Sequence, residues 1–167
     1  MLANKSCVAA ADIDRDGDID LFVGGLANVS KYGLPVASYL LLNNGQATFE
    51  RAPSSVIDIN NIGMVTAAGF ADLSGDGMAD LVITGEWMPL RIFTNTNGKF
   101  KEAELPGSTG LWQTLQVTDV NGDGKADILA GNWGFNSKLY TGKNGPLKLY
   151  VKDFDKNGTT EQVVAYT

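Results

Sequence analysis

Asp12-Ile13-Asp14-Arg15-Asp16-Gly17-Asp18-Ile19-Asp20 is the stretch whose reading decides the fold. Oxygen-bearing side chains stand at positions 1, 3, 5 and 9, and glycine stands at position 6. The pattern returns as Asp72-Leu73-Ser74-Gly75-Asp76-Gly77-Met78-Ala79-Asp80 and as Asp119-Val120-Asn121-Gly122-Asp123-Gly124-Lys125-Ala126-Asp127. A divergent fourth copy reads Asp153-Phe154-Asp155-Lys156-Asn157-Gly158-Thr159-Thr160-Glu161. The copies begin at residues 12, 72, 119 and 153, hence 60, 47 and 34 residues apart.

These windows concentrate the charge. Of 19 acidic residues, 14 lie inside them, with only Arg15, Lys125 and Lys156 of the 13 bases. The windows therefore carry -11, and the rest of the chain +5. So many carboxylates in short loops repel one another unless a cation neutralises them. Calcium fits the spacing: it takes about six to eight hard oxygen ligands, and a short loop can offer alternate side chains. Glycine at position 6 allows the sharp turn that aims the carbonyl of position 7 at the ion, and this carbonyl comes from Asp18, Met78, Lys125 or Thr159. Turn propensity alone explains Asp, Asn and Gly but not an acid at position 9 in every copy.

An EF-hand fails on two counts. Its loop needs a Glu at position 12 and flanking helices. Position 12 here is Val23, Ile83, Ala130 or Val164, and the flanks Leu21-Phe22-Val23, Leu81-Val82-Ile83 and Ile128-Leu129-Ala130 are short β-type runs. Each loop thus joins two strands. First strands are expected at 7–11, 64–71, 112–118 and 148–151, third strands at 39–42 and 90–93, and fourth strands near 47–51 and 99–103. The segments Asn43-Asn44-Gly45 and Asn95-Thr96-Asn97-Gly98 read as Asn-Gly hairpin turns, and Asn28 to Val36 reads as an insertion.

Four strands per unit at repeated intervals suggest blades of a β-propeller. The loop followed by an apolar run and Gly resembles the FG-GAP/VCBS repeats that build calcium-bearing propellers of integrin α-subunits and of many bacterial surface or secreted proteins. That resemblance covers roughly residues 7–167. It implies an all-β fold, a partial β-propeller of about three to three and a half blades, with repeats near 7–51, 64–104, 111–140 and 147–167. It implies Ca²⁺ ligands Asp12, Asp14, Asp16, Asp18 and Asp20; Asp72, Ser74, Asp76, Met78 and Asp80; Asp119, Asn121, Asp123, Lys125 and Asp127; and Asp153, Asp155, Asn157, Thr159 and Glu161. Ser74 and Glu161 depart from the commonest residues at their positions. Related propellers usually have about seven blades, so the chain reads as a fragment of a larger propeller, or as one of two copies pairing to cover open strand edges.

The end of the blades opposite the loops is the expected recognition face. Trp87, Trp112, Trp133 and Tyr32 would gather there, with Glu86, Arg91, Asn136 and Lys138 as polar neighbours. Aromatic clusters suit protein or glycan partners, although they equally suit packing between blades.

Other chemistries fall away by inventory. With 44% hydrophobic and 19% charged residues the chain can bury a core, and no apolar run is long enough to span a membrane as a helix. Histidine is absent and Cys7 is the one cysteine, which excludes Ser-His-Asp and Cys-His catalysis and an intrachain disulfide. Cys7 reads as a small buried apolar residue. Acidic loops and the lack of a basic stripe argue against nucleic acid. The expectation is a non-enzymatic, calcium-stabilised binding module at the cell surface or outside the cell, where affinities of about 10⁻⁴–10⁻³ M suffice. The alternatives are the propeller of a lyase-like polysaccharide enzyme and a structural spacer.

Overall fold

The computed structural model describes residues 3–103, 105–134 and 146–165. Among them are twelve strands in three antiparallel sheets and no helix. The first sheet is β1 (Ala3–Ala11), β2 (Asp20–Asn28), β3 (Tyr39–Asn43) and β4 (Phe49–Arg51), in that order. The second unit repeats the meander with β5 (Met64–Ala71), β6 (Asp80–Met88), β7 (Arg91–Thr96) and β8 (Lys99–Ala103). It joins β9 (Gly110–Thr118) and β10 (Asp127–Asn132) through pairs at the end of β6, Glu86 with Leu111 and Met88 with Gly110. The last sheet is the hairpin of β11 (Lys148–Lys152) and β12 (Glu161–Ala165). The expected strands are all present where described. The third unit beyond Gly134, including Asn136 and Lys138, lies outside the described residues.

Burial explains which strands are central. The run Leu81-Val82-Ile83-Thr84 on β6 is wholly enclosed, as expected of a strand paired on both sides and covered on both faces. The first strands of successive units pack side by side, β1 on β5 and β5 on β9. Glycine on β2 makes room for the neighbouring unit: a Cβ at Gly24 would fall 2.6 Å from Cys7 Sγ and 2.8 Å from Val65 Cγ1. The core lies between the first two units, where Phe22, Leu40, Val65, Leu81 and Phe93 meet Ile57, Ile59 and Ile62 from the connection after β4.

Two hairpins that look alike in sequence close differently. Asn97 and Gly98 both have positive φ (50° and 76°) between paired Thr96 and Lys99, the primed two-residue turn expected of Asn-Gly. In the first unit Asn43 pairs with Phe49, so the loop runs over residues 44–48 and Asn44-Gly45 is not its two-residue corner. Asn44 instead spans the longer loop, its Oδ1 accepting the Gln46 N–H at 3.0 Å and the Thr48 N–H at 3.3 Å. That replaces the expected Asn-Gly turn at this hairpin.

A buried amide ties the loop ends of the first two units together. Asn95, 1% exposed, donates from Nδ2 to Ile13 O (2.7 Å) of the first acidic loop and to Ala79 O (3.1 Å) of the second, while Oδ1 accepts the Gly98 N–H (2.9 Å). Asn43 is its counterpart in the first unit, donating to Ile19 O (3.2 Å) and accepting from the Gly45 N–H (3.2 Å), without a tie to another unit. Buried groups stripped of partners cost about 1–3 kcal/mol. Asn95→Ala should therefore destabilise by about 2–3 kcal/mol in urea unfolding and Asn43→Ala by about 1 kcal/mol. Equal losses would show that the tie between units carries no weight.

Candidate functional site

The four acidic loops share one backbone. In each, both carboxylate oxygens or one of them at position 1 collect N–H groups, and the N–H of position 6 reaches that side chain in every copy. The distances are 3.1 Å for Gly17 to Asp12, 2.7 Å for Gly77 to Asp72, 2.8 Å for Gly124 to Asp119 and 2.9 Å for Gly158 to Asp153. The N–H of position 7 donates to the side chain of position 5: Asp18 to Asp16 at 2.9 Å, and Met78 to Asp76, Lys125 to Asp123 and Thr159 to Asn157 at 2.8 Å. The N–H of position 2 donates to the acid of position 9: Ile13 to Asp20 (3.2 Å), Leu73 to Asp80 and Val120 to Asp127 (both 3.0 Å), and Phe154 to Glu161 (2.8 Å). This last bond closes the loop, so the recurring acid at position 9 has a structural reason of its own. In the first two units its other oxygen accepts a third-strand N–H, Asn43 to Asp20 (2.8 Å) and Asn95 to Asp80 (2.7 Å).

Left-handed backbone recurs at two positions. Gly17, Gly77, Gly124 and Gly158 at position 6 have φ of 93°, 82°, 83° and 88°. Position 4 is left-handed as well: Gly75 (79°) and Gly122 (78°), but also Arg15 (64°) and Lys156 (63°). A side chain costs roughly 1–2 kcal/mol in this region. Sequence reading missed position 4 because only two copies reveal it by glycine.

The geometry brings positions 1, 3 and 9 together. Oxygens of Asp12, Asp14 and Asp20 lie within 4.8 Å of one another, as do those of Asp153, Asp155 and Glu161. Ser74 and Asn121 hold position 3 in the second and third loops, so those loops offer a hydroxyl or an amide there beside their acids. Asp16, at position 5 of the first loop, stands outside its group, whereas Asn157 at the same position of the fourth loop donates from Nδ2 to Asp155 Oδ2 (2.9 Å). A carboxylate has about four lone-pair sites, so the N–H bonds leave capacity to ligate a cation. Burial pushes the Asp20 carboxyl up, and the nearby charges of Asp14 and Asp16 push the same way, against the N–H bonds from Asn43 and Ile13. Asp119 is held below the usual carboxylate range by N–H donation from Gly124, opposed by some desolvation and helped by Gly122 and Asp123. At Asp72 desolvation opposes the N–H groups of Gly77, Gly75 and Asp76, and the N–H groups win. The donor set of hard oxygens fits a divalent cation.

The first two loops touch. Arg15 donates from Nη2 to Asp76 O (3.1 Å), and its guanidinium lies where a Cβ on Gly77 would have to go. A cation from the first loop thus sits against the second.

At the opposite end the structure gathers part of the expected aromatic face. Trp87 Nε1 donates to the Tyr32 hydroxyl (2.9 Å), which donates to Glu86 Oε2, and Gln113 Nε2 holds Glu86 Oε1 (2.9 Å). Trp87 sits at a β-bulge with φ of 60°, a left-handed residue between Glu86 and Met88 where the β6–β9 register shifts. The bulge aims the indole at Tyr32. Trp112 is half-buried, with Nε1 donating to Ser108 O (2.8 Å), so it packs within the fold rather than presenting a free indole. Trp133 is 42% exposed and tied by its N–H to Leu111 O. Arg91 is engaged elsewhere, in an ion pair with Glu102 across β7 and β8 at 2.9 Å. Gln113 was not anticipated, since nothing in its local sequence marks it.

An FG-GAP-like repeat profile matches residues 12–83 and 72–130, and no curated protein matches the chain. Both matches begin at position 1 of a loop, Asp12 or Asp72, and end at position 12 of the following one, Ile83 or Ala130. The chain belongs to the FG-GAP-like repeat family.

Two measurements follow from this geometry. Lys156→Gly relieves left-handed strain at an exposed site and should stabilise by about 0.5–1 kcal/mol; a loss would mean that strain at position 4 is negligible. Burial, then the bond to Glu86, pushes Tyr32 up to about 12. Its folded state holds the proton longer than the unfolded chain, so the stability it contributes is full below pH 10 and disappears as pH rises toward 12. Tyr32→Phe should flatten that alkaline loss in unfolding curves measured across the interval.

Proposed function

We propose that the chain is a calcium-stabilised module of β-propeller type whose end opposite the acidic loops binds a protein or glycan outside the cell. The observation that carries the calcium reading is the convergence of the acids at positions 1, 3 and 9 in the first and fourth loops, on a loop backbone that all four copies share. Asp12, Asp14, Asp16 and Asp20 with the Asp18 carbonyl would hold one ion, and the corresponding residues of the later loops the others. Such an ion would be structural: it would screen the carboxylates and tie each hairpin at its bend. Side-by-side first strands, β1, β5 and β9, support the propeller arrangement. Four ions would take the formal charge from -6 to +2.

The preorganised Tyr32–Glu86–Trp87 group supports a binding role for the other end. Its polar atoms satisfy one another, which leaves rigid aromatic surface as the part available to a partner. A lyase-type reaction would need a base there, and a Tyr32 pushed up to about 12 is poorly suited to that task. Cys7 suits nucleophilic chemistry no better, because burial raises its thiol.

Calorimetric titration with CaCl₂ should give a multi-site isotherm. Each site should add about 2.7 kcal/mol of stability at a hundredfold excess over its Kd. Asp16→Ala and Asp123→Ala should each delete one site and leave the others. A thermal midpoint unchanged by 10 mM Ca²⁺ would overturn the calcium reading. On a glycan or protein array, Trp87→Ala should lose binding that chelator-treated wild type loses only through unfolding.

A further inference from the structure

The first sheet carries a second concave site that neither the loops nor the Trp87 group uses. We infer that the cavity beside Arg51 binds a carboxylate carrying a branched apolar group. The cavity measures about 300 Å³, at the small end of ligand pockets. Leu40, Ile57 and Ile59, all nearly fully buried, form its apolar floor, and Arg51, Ser54 and Asn60 form an exposed polar rim.

The rim is electrostatically one-sided. The Arg51 guanidinium lies over the Tyr39 ring, 4.8 Å from its centroid, and Lys5 Nζ lies over the same ring at 4.2 Å. Among the described residues neither cation has a carboxylate partner; the one ion pair is Arg91 with Glu102. Lys5 donates to Ala37 O (2.5 Å), and Arg51 Nη2 donates to Asn60 Oδ1 (2.7 Å). A guanidinium has five N–H donors, so most of those on Arg51 remain for a ligand. The nearest acid along this chain of contacts is Asp58, which reaches Asn60 Nδ2 (3.3 Å) and not the guanidinium. Lys5 is lowered by burial first and then by the charge of Arg51, the mark of two like charges held together. An anion relieves that repulsion, and Arg is the side chain best shaped to grip a carboxylate with two parallel bonds.

Lys5 and Tyr39 lie toward the end of the sheet away from the acidic loop, opposite Gly25 and Val23, and Arg51, paired with Leu41, reaches over the Tyr39 ring. β1 and β3 start at that end, whereas Asp20 and Asn43 meet at the other end. A carboxylate on Arg51 with an apolar branch over Ile57 and Ile59 satisfies both halves of the cavity. Such a group comes either from a peptide chain terminus or from a free branched acid.

The test is an NMR titration of the whole chain in 10 mM CaCl₂ with N-acetyl-leucine, its uncharged amide, 4-methylpentanoate and acetate as probes. N-acetyl-leucine should shift the Ile57, Ile59 and Arg51 amides in a saturable way, with the uncharged amide and acetate at least tenfold weaker. Preference for N-acetyl-leucine over 4-methylpentanoate points to a peptide terminus, and the reverse points to a free acid; either supports the inference. Arg51→Gln should weaken binding about tenfold and Lys5→Gln about threefold. Ser54→Trp, which blocks the rim without removing a cation, should abolish it even if Arg51→Gln fails to fold. Trp87→Ala should leave it intact, so loss of the aromatic face and loss of this site read separately. Equal binding of N-acetyl-leucine and its amide, or no binding of either acid, overturns the proposal.

Discussion

The bond from the N–H of position 2 to the acid of position 9 is the constraint on which the rest of the structure depends. It joins the last residue before the turn to the first residue of the next strand, and so fixes where each second strand begins. In the first two units the same carboxylate reaches on to the third strand, through Asn43 and Asn95. One acid thus sets the registry of three strands. It is nearly fully buried at Asp20 and at Asp80. A buried carboxylate is costly unless it is hydrogen-bonded, and here both oxygens are. The loop is therefore a rigid corner even as a bare peptide, and a cation would enter a site already shaped.

This dual role decides what the acidic pattern can prove. Acid at position 9 follows from loop closure alone. Convergence with positions 1 and 3 does not, because nothing in the closure requires Asp14 or Asp155 to bring a charge toward two others. Ser74 and Asn121 accept the same place in the backbone without one. Position 3 accepts the position 5 N–H in the first, third and fourth loops, and since the neutral Asn121 does this as well, that bond accounts for an oxygen at position 3 but not for the charge of Asp14.

Much of this was legible in the sequence. Spacing gave the loops, apolar runs gave the strands, and glycine at position 6 gave one of the two left-handed residues. What was hidden is of three kinds. Position 4 is masked because Arg15 and Lys156 endure a conformation that Gly75 and Gly122 adopt freely. Asn95 looks like any turn asparagine, and its contact with Ile13 spans 82 residues, which no local pattern encodes. On the far face, residue type was a poor guide to company. Tyr32 and Glu86 meet across 54 residues, whereas Arg91 turns to Glu102 on the neighbouring strand, a cross-strand pairing that competes with any more distant partner.

Charge is divided between the two ends, and the division is not uniform among the loops. The first loop holds five carboxylates with Arg15 among them, and that arginine reaches away to the carbonyl of Asp76. The second loop holds three carboxylates and receives the arginine. Repulsion is thus strongest in the first loop and already eased in the second. A divalent cation gains most where repulsion is greatest, since the energy of like charges about 4 Å apart falls from several kcal/mol to little once they share a counter-ion. The first loop is also the one whose Ile13 carbonyl Asn95 grips, so whatever steadies it steadies the junction of the two units that share the core. A cation held at the first bend would therefore steady the packing between these units as well.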